Sequence, residues 1–434
     1  MVLRSYREAK VSGEIGRITV SLEDVLYLTA LVIWIVQIYI GKTIFADFYG
    51  GKLLTAIRYF CMLIFAAKII LSERTLRMRV LVTLFGLCAF FVIVQRHINT
   101  GMPLIQMVLL IYGAKDVSFK RICKVLLWTC VVLWIIPILV DRLGIYHKPQ
   151  LWELRREREY LNYNYVSFAA IHFNNIVFCA LYAYTDPDRR GRGGHLAEGR
   201  EVSWILLLIF TAVEFWLYEV TDTSLPFLTA VIFMFLYVTV IKFRVPLFSD
   251  NRFTRFCAVA VFPVLAYITY YIAANYKKSR AFWQKLDKFT HSRVSLSNTG
   301  LKQYGVHIFG TQIVENTDTS KGTYFYIDSG YIKNLILYGI VVFAVIIAMY
   351  TVMTYAALIE HDTVLVIWLL TIAIYSMYNN NLLSPAENVS VLAFCYCMQL
   401  LSWHKRKKKS RQIAKRAIRR GNERFEPEVK SAES

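Results

Sequence analysis

YKKSRAFWQKLDKFTHSRVSLSNTGLKQYGVHIFGTQIVENTDTSKGTYFYIDSGY, residues 276–331, is the stretch that decides how the rest of the chain reads. On both sides of it the sequence is one apolar run after another. Most are about 18 residues or longer, the length a helix needs to cross a bilayer. A chain of membrane helices needs only short turns between them. A long polar interval rich in Arg, Lys, His, Asp and aromatic residues therefore marks a loop with a task at one membrane face.

Working outward, the runs lie near 23–40, 53–71, 79–95, 101–114, 122–140, 166–184, 202–220, 225–241, 256–275, 332–355, 363–378 and 385–402. The expected fold is all-α: a polytopic integral membrane protein of about 12 transmembrane helices. Residues 1–402 form one transmembrane domain and 403–434 a basic tail. The composition agrees, with 56% hydrophobic and 18% charged residues in 434; soluble proteins carry about 25% charged residues.

The net charge of +20 does not point to nucleic acid, because ten of the basic residues crowd into Lys405–Arg420, directly after the last apolar run. A juxtamembrane basic tail fits anionic lipid at the cytoplasmic leaflet. Alternate short loops also carry the cations: Arg74, Arg77 and Arg79; Lys115, Lys120 and Arg121; Arg189, Arg190, Arg192 and Arg200; Lys242, Arg244, Arg252 and Arg255. The positive-inside rule then places both termini in the cytoplasm and the loops 141–165 and 276–331 outside, with the Thr221–Ser224 turn. The first twenty residues lack a hydrophobic core with a cleavage site, so the first span is expected to act as the insertion signal. Seven cysteines fall in apolar runs and Cys123 at a basic span edge, so no disulfide framework is expected.

Arg58, Lys68, Glu214 and Glu219 lie within spans. Intramembrane charge is costly and draws a functional reading by default. Lys68 near a span end can snorkel, and Glu219 lies close to the outer interface. Arg58 and Glu214 read as a functional pair or as an internal ion pair.

Soluble-enzyme motifs fail. Gly41-Lys42-Thr43 resembles the end of a phosphate-binding loop, but Val36 stands where the earlier glycine belongs. Gly191-Arg192-Gly193-Gly194 follows no strand. There is no His-Glu-x-x-His zinc signature and no Gly-x-Ser-x-Gly elbow. The glycosylation sequon Asn388-Val389-Ser390 lies in a span. No metal-ligand cluster is evident, and neither a metal nor another cofactor is expected.

The two outer loops carry the chemistry. In the first, Arg155, Arg156 and Arg158 cluster with Trp152, Tyr160, Tyr163 and Tyr165, followed by His172 and Asn174. The second offers Arg280, Asp287, His291, Arg293, Lys302, His307 and Asp328. Guanidinium forks bind phosphate bidentately and stay charged at any relevant pH. Aromatic faces suit sugar rings. The competing reading pairs these arginines with Glu153, Glu157, Glu159 and Asp287, or with lipid headgroups. Two separate clusters on one face favour a site for a lipid-linked sugar diphosphate.

The block His291-Ser-Arg-Val-Ser-Leu-Ser-Asn-Thr-Gly-Leu-Lys-Gln-Tyr304-Gly305, with Ile308-Phe-Gly310, Ile327-Asp-Ser-Gly-Tyr331 and Leu337-Tyr-Gly-Ile340, resembles the Wzy-type capsular polysaccharide polymerases of Gram-positive bacteria, related to O-antigen polymerases. The Arg-rich loop ending in His172-Phe-Asn174 resembles their other outer loop, and Tyr218-x-x-Thr-x-Thr-Ser224 a third element. Two positions depart from the pattern. Ser224-Leu225-Pro226 stands where many relatives have Ser-Arg, so one expected cation is missing. Leu296-Ser297 replaces a frequent Leu-Gly.

The resemblance implies a cell-membrane enzyme that joins oligosaccharide repeat units carried on polyprenyl diphosphate. Its implied partners are that substrate, membrane lipids, a chain-length regulator and a flippase. On this reading Arg293 is the main diphosphate ligand, with Arg158 and Arg280 assisting. Arg155, Arg156, His172, Asn174 and Tyr304 contact substrate, and His291, His307 and Asp328 are candidate bases. Gly305 and Gly310 are expected to serve turns or close packing. A lipid-linked oligosaccharide flippase would need cations in a central cavity rather than a long outer loop. A glycan ligase shares the loop design and differs in its acceptor. A transporter would favour internal repeats and broken helices; no repeat is evident.

Overall fold

The computed structural model describes residues 21–72, 98–146, 158–185, 201–248, 251–317 and 324–406. These build an all-helical protein. The helices are α1 (Leu22–Gly41), α2 (Gly51–Ser72), α3 (Ile98–Gly113), α4 (Phe119–Arg142), α5 (Phe168–Tyr184), α6 (Trp204–Thr221), α7 (Ser224–Tyr237), α8 (Arg252–Ala274), α9 (Ala281–Phe289), α10 (Arg293–Tyr304), α11 (Gly330–Ile359) and α12 (Thr363–Tyr375). A further helix, α13, covers 394–406 of the described residues. The only β pairing among the described residues is two isolated bridges, Thr43 to Tyr163 and Asn316 to Phe325.

Seven of the helices are long and apolar enough to cross a membrane: α1, α2, α4, α6, α7 extended by a π turn to Lys242, α8 and α11. The protein is membrane-embedded. Most spans start at a polar cap that accepts a free first-turn N–H: Ser21 from Asp24, Ser203 from Leu206, Asn251 from Phe253 and Ser329 from Ile332. Glu23 and Asp24 add negative charge where the α1 dipole is positive. Pro103, Pro137 and Pro263 lie inside helices, as membrane spans tolerate. The expected span 79–95 lies outside the described residues.

The short apolar helices occupy the middle. α5 is buried from Ala169 to Ala183, and α12 along nearly all its length. The longer α2, α6 and α8 present Phe60, Leu63, Leu208, Phe215, Phe256 and Tyr267 outward. At ~1.5 Å per residue, the 13 residues of α12 reach about 20 Å, short of a ~30 Å hydrocarbon core. α12 is followed by irregular backbone at 376–388 and a 3₁₀ turn, Val389–Ala393. The continuous helix expected over 385–402 is therefore corrected: α-helix begins only at 394. Non-helical backbone at this depth survives only where protein satisfies it. Tyr350 donates to the Leu382 carbonyl at 2.6 Å, and Asn388 to the Tyr350 hydroxyl at 2.9 Å. Asn175 of α5 donates to Ala386 O at 3.2 Å and accepts from Val389 N at 3.2 Å.

α11 is also broken. Gly339 sits at φ 79° and ψ 175° inside it, and residues 307–311 fill the gap in the hydrogen-bond ladder. Thr311 N donates to Ile336 O at 2.8 Å, Ile340 N to His307 O at 3.0 Å and Val341 N to Ile308 O at 3.3 Å. Gly310, at φ 80°, lies back to back with Gly339. A Cβ on Gly310 would overlap the Leu337 carbonyl, and one on Gly339 the Gly310 amide. The close-packing role expected of Gly310 is the one it has. Gly305, at φ 68°, ends α10.

The intramembrane charges resolve differently from the expectation. Lys68 does not snorkel: it is 1% exposed, donates to the Lys115 carbonyl and lies 5.9 Å from the Tyr27 ring centre. Arg58 and Glu214 do not pair. Glu214 is buried on α6 with neither oxygen bonded to a described residue, and Arg58 is half-buried on α2. Glu219 is exposed, as its interfacial place suggested.

Candidate functional site

The described residues of the stretch 276–331 fold as a cap on the ends of α8 and α11. Its own small core is Ala273, Ile327, Ile332 and Ile336, with Leu301, Tyr304, Ile313 and Phe325 packed against it. Gly300 fits there because a Cβ would overlap the Ile327 side chain. Asn298 fixes α10 to α8 by donating to the Ala273 carbonyl at 2.7 Å.

Arg293 opens α10. Two consecutive non-glycine residues before it, His291 and Ser292, adopt left-handed backbone at φ 52° and 65°. Such conformations cost about 1–3 kcal/mol each and need surrounding structure to hold them. Asp287 supplies much of it: its backbone carbonyl accepts from Ser292 N at 2.8 Å and its carboxylate from Ser295 N at 2.8 Å. Asp287 thus holds the first turn of α10 rather than an arginine. The strained entry delivers the Arg293 Nε to 3.5 Å from Asp328 Oδ2, while Nη1 donates to Thr290 O at 3.4 Å.

Asp328 precedes Ser329, the cap of α11. Burial pushes its carboxyl above the usual carboxylate range, against the pull of Arg293 and Lys333 and with the help of Glu315. Lys333, one turn into α11, is 2.7 Å from Glu315 and 4.2 Å from the Tyr326 ring centre. Burial and the carboxylates Glu315, Asp328 and Glu387 push the Tyr326 phenol up.

A third cation joins from the far end of the sequence. Lys42, just past α1, pairs with Glu387 of the irregular segment and stacks over the Phe168 ring at 4.4 Å. Tyr375 at the end of α12 lies within electrostatic reach of Glu387, Arg293 and Tyr165, which links the Lys42–Glu387 pair to the Arg293–Asp328 pair. The first loop is stitched to the same place. Asn164 donates to the Gly41 and Thr43 carbonyls at 3.2 and 3.1 Å, and Ile44 N to Asn162 O at 3.0 Å. Beside this seam a cavity of about 250 Å³ is lined by Tyr39, Ile40, Thr43, Phe45, Leu133 and Ile136.

The site therefore contains three fixed cations, Arg293, Lys333 and Lys42, each with a resident carboxylate, Asp328, Glu315 and Glu387. Tyrosines 165, 326 and 375 stand among them. Such a set can exchange a carboxylate for a phosphate and free the carboxylate to take a proton. Lys42 and Glu387 went unmarked as site residues in the sequence.

The remaining expected residues fall elsewhere. Arg158 pairs with Asp222 at 3.7 Å on the α6–α7 turn, a second cationic patch, and Glu159 pairs with Arg142. Arg155 and Arg156 lie outside the described residues. Arg280 is exposed at the N-terminal boundary of α9, with no capping bond from its side chain. His172 is fully buried, stacked on Tyr39 at 4.0 Å, and neither ring nitrogen bonds a described residue. Asn174 donates to the Pro226 carbonyl at 2.9 Å and so ties α5 to α7. The Tyr304 hydroxyl donates to Val314 O and accepts from Val314 N, both at 3.0 Å. The His307 ring bonds the Tyr304 carbonyl at 2.9 Å. Both therefore brace the cap. His291 is exposed, two residues before Arg293. Among the candidate bases, Asp328 stands 3.5 Å from Arg293.

Comparison with known proteins gives no match: no family model, no curated protein and no solved structure matches this chain.

Proposed function

We propose that this protein polymerises polyprenyl-diphosphate-linked oligosaccharide repeat units into capsular or exopolysaccharide at the outer face of the cell membrane. The reading rests on the resemblance of the 291–340 block. The observation that carries it furthest is the Arg293–Asp328 pair set among two more cation–carboxylate pairs at one end of the bundle. On this reading the diphosphate displaces Asp328 from Arg293, and Arg293 with Lys42 balances the charge that develops as the lipid diphosphate leaves.

The acceptor hydroxyl attacks the anomeric carbon of the donor glycan. The C1–O bond to the diphosphate breaks, with its electron pair leaving on the phosphate oxygen, and the acceptor proton passes to Asp328. The raised proton affinity of Asp328 suits it to hold that proton. The cavity beside Thr43 can take the first apolar units of the lipid.

A flippase for the same lipid-linked substrate is the second reading, and a specific observation favours it. The break in α11 and the irregular 376–388 segment are the discontinuous spans typical of transporters. Deletion of the gene separates the two. Loss of a polymerase leaves single lipid-linked repeat units at the outer face; loss of a flippase leaves them at the inner face. Arg293→Lys keeps charge and loses the guanidinium fork. With the variant present at normal level, it is expected to abolish long glycan and leave single units. Long glycan of normal length in these cells would remove Arg293 from the mechanism.

A further inference from the structure

The helix α9, AFWQKLDKF, has no buried residue, although it follows directly on a membrane span. Phe282, Leu286 and Phe289 recur at the i, i+4 and i+7 spacing of one helix face. Phe282 is 67% and Phe289 75% exposed. Lys285 flanks this face, Lys288 lies beyond it, and Lys277, Lys278 and Arg280 precede the helix. Its one acid, Asp287, points at α10 and caps Ser295. The cations of this helix therefore meet no acid of its own face.

Its level relative to the bilayer is marked independently. The last turns of α8 expose Tyr267, Tyr270 and Tyr271, at 66%, 40% and 54%, the aromatic belt expected where a span meets the headgroups. A few residues later Trp283 packs edge-on to Phe282 at 5.3 Å and to Tyr276 at 6.3 Å. An exposed apolar face, flanking lysines and a position just above a tyrosine belt describe a helix that lies in the interface plane.

We infer that α9 is a membrane-surface anchor that seats Phe282, Leu286 and Phe289 in the headgroup layer and holds an anionic phospholipid surface through its lysines and Arg280. The anchor is tied to the site. Asp287 holds the first turn of α10 and Thr290 accepts from Arg293, so the seat of α9 on lipid fixes the start of the helix that carries Arg293. The inference does not depend on the chemistry proposed for that arginine.

The test uses the full chain in nanodiscs, in a background lacking Cys88 and the exposed Cys257. Phe289→Cys is labelled with an environment-sensitive fluorophore, and Gln284→Cys on the opposite face serves as control. Discs contain phosphatidylcholine alone or with phosphatidylglycerol, each with nitroxide lipids quenching at shallow or deep positions. The label at 289 is expected to emit as in an apolar medium and to be quenched best by shallow nitroxides, with the label at 284 solvent-like. Charge reversal at Lys285 or Lys288 is expected to weaken quenching in anionic discs by up to about fivefold per cation, and to change little in neutral discs. Solvent-like emission at 289 overturns the anchor. An apolar signal that lipid nitroxides do not quench also overturns it, by placing the face against protein. Equal quenching in both lipids, indifferent to charge reversal, overturns the anionic surface as partner.

Discussion

Two arginine–aspartate pairs in the described cap and loop regions are nearly alike in separation and differ in what surrounds them. Arg158 and Asp222 stand 3.7 Å apart at a tight turn, with side chains 24% and 35% exposed. Arg293 and Asp328 stand 3.5 Å apart at 18% and 20% exposure. The first pair is a half-open contact between loops, of a kind worth ~0–1 kcal/mol. The second is approached by strained backbone, flanked by Lys333 and Glu315, and placed at the start of α11, where Gly330 N donates to Ser376 O at 2.9 Å. Burial has raised the proton affinity of its acid. The lesson is that a guanidinium beside a carboxylate becomes a site through what surrounds it.

The largest expected effect breaks or keeps that contrast outright. With purified protein and a lipid-linked repeat unit, Arg293→Lys is expected to slow unit addition by about 10²–10³, the size associated with losing a fixed donor to developing charge. Arg158→Lys should cost less than about tenfold, in keeping with an exposed pair. Equal losses would erase the distinction between the patches.

The framework of the second pair gives the next test. Gly339→Ala must hold φ 79° and overlap the Gly310 backbone, at a cost of about 3 kcal/mol from strain and overpacking. Gly305→Ala, whose nearest neighbour is the His307 ring at 3.3 Å, should cost about 1 kcal/mol from its φ alone. Thermal unfolding in detergent reads the difference, and a Gly339→Ala protein as stable as Gly305→Ala would contradict the inserted loop.

How much of this was legible in the sequence varies with the distance over which the information travels. Apolar runs report helices locally, so the long spans emerge near their expected ends. The 291–331 block is also local, and it brings Arg293 to 3.5 Å from Asp328. Lys42 and Glu387 are 345 residues apart, and each alone looks like an interfacial charge. The sequence leaves 379–384 as a connection between two apolar runs and starts the last run at 385; the asparagines Asn379, Asn380, Asn381 and Asn388 are the available signal that irregular backbone runs on to 388. Asn174 was singled out, yet Asn175 holds that segment. Adjacent helical residues point about 100° apart, and which faces the partner depends on packing that sequence does not print.

That last point is testable with a smaller effect. Asn175→Ala leaves the Ala386 carbonyl and the Val389 amide unpaired, about 1–3 kcal/mol each at the upper limit. Asn174→Ala leaves the Pro226 carbonyl unpaired, at the lower end of the same range. The two melting temperatures should fall in that order; the reverse order would mean that the irregular segment holds without its clamp.

The finest test is the pH profile of unit addition. The base must be ionised, and burial raises the Asp328 carboxyl above its ordinary value. Activity should rise with pH through that raised value. Arg293 and Lys333 pull the carboxyl down, so removing either charge, as in Lys333→Met, should move the acid limb to higher pH. A limb that stays in place would take Asp328 out of the proton transfer.

Purified protein in vesicles supplied with a synthetic polyprenyl-diphosphate-linked repeat unit, with glycan length and released lipid diphosphate both measured, separates polymerisation from transport. Products are expected to grow by whole repeat units, with one lipid diphosphate released per bond formed. Substrate that crosses the bilayer unchanged, with no bond formed and no diphosphate released, would contradict polymerisation and leave the transport reading standing.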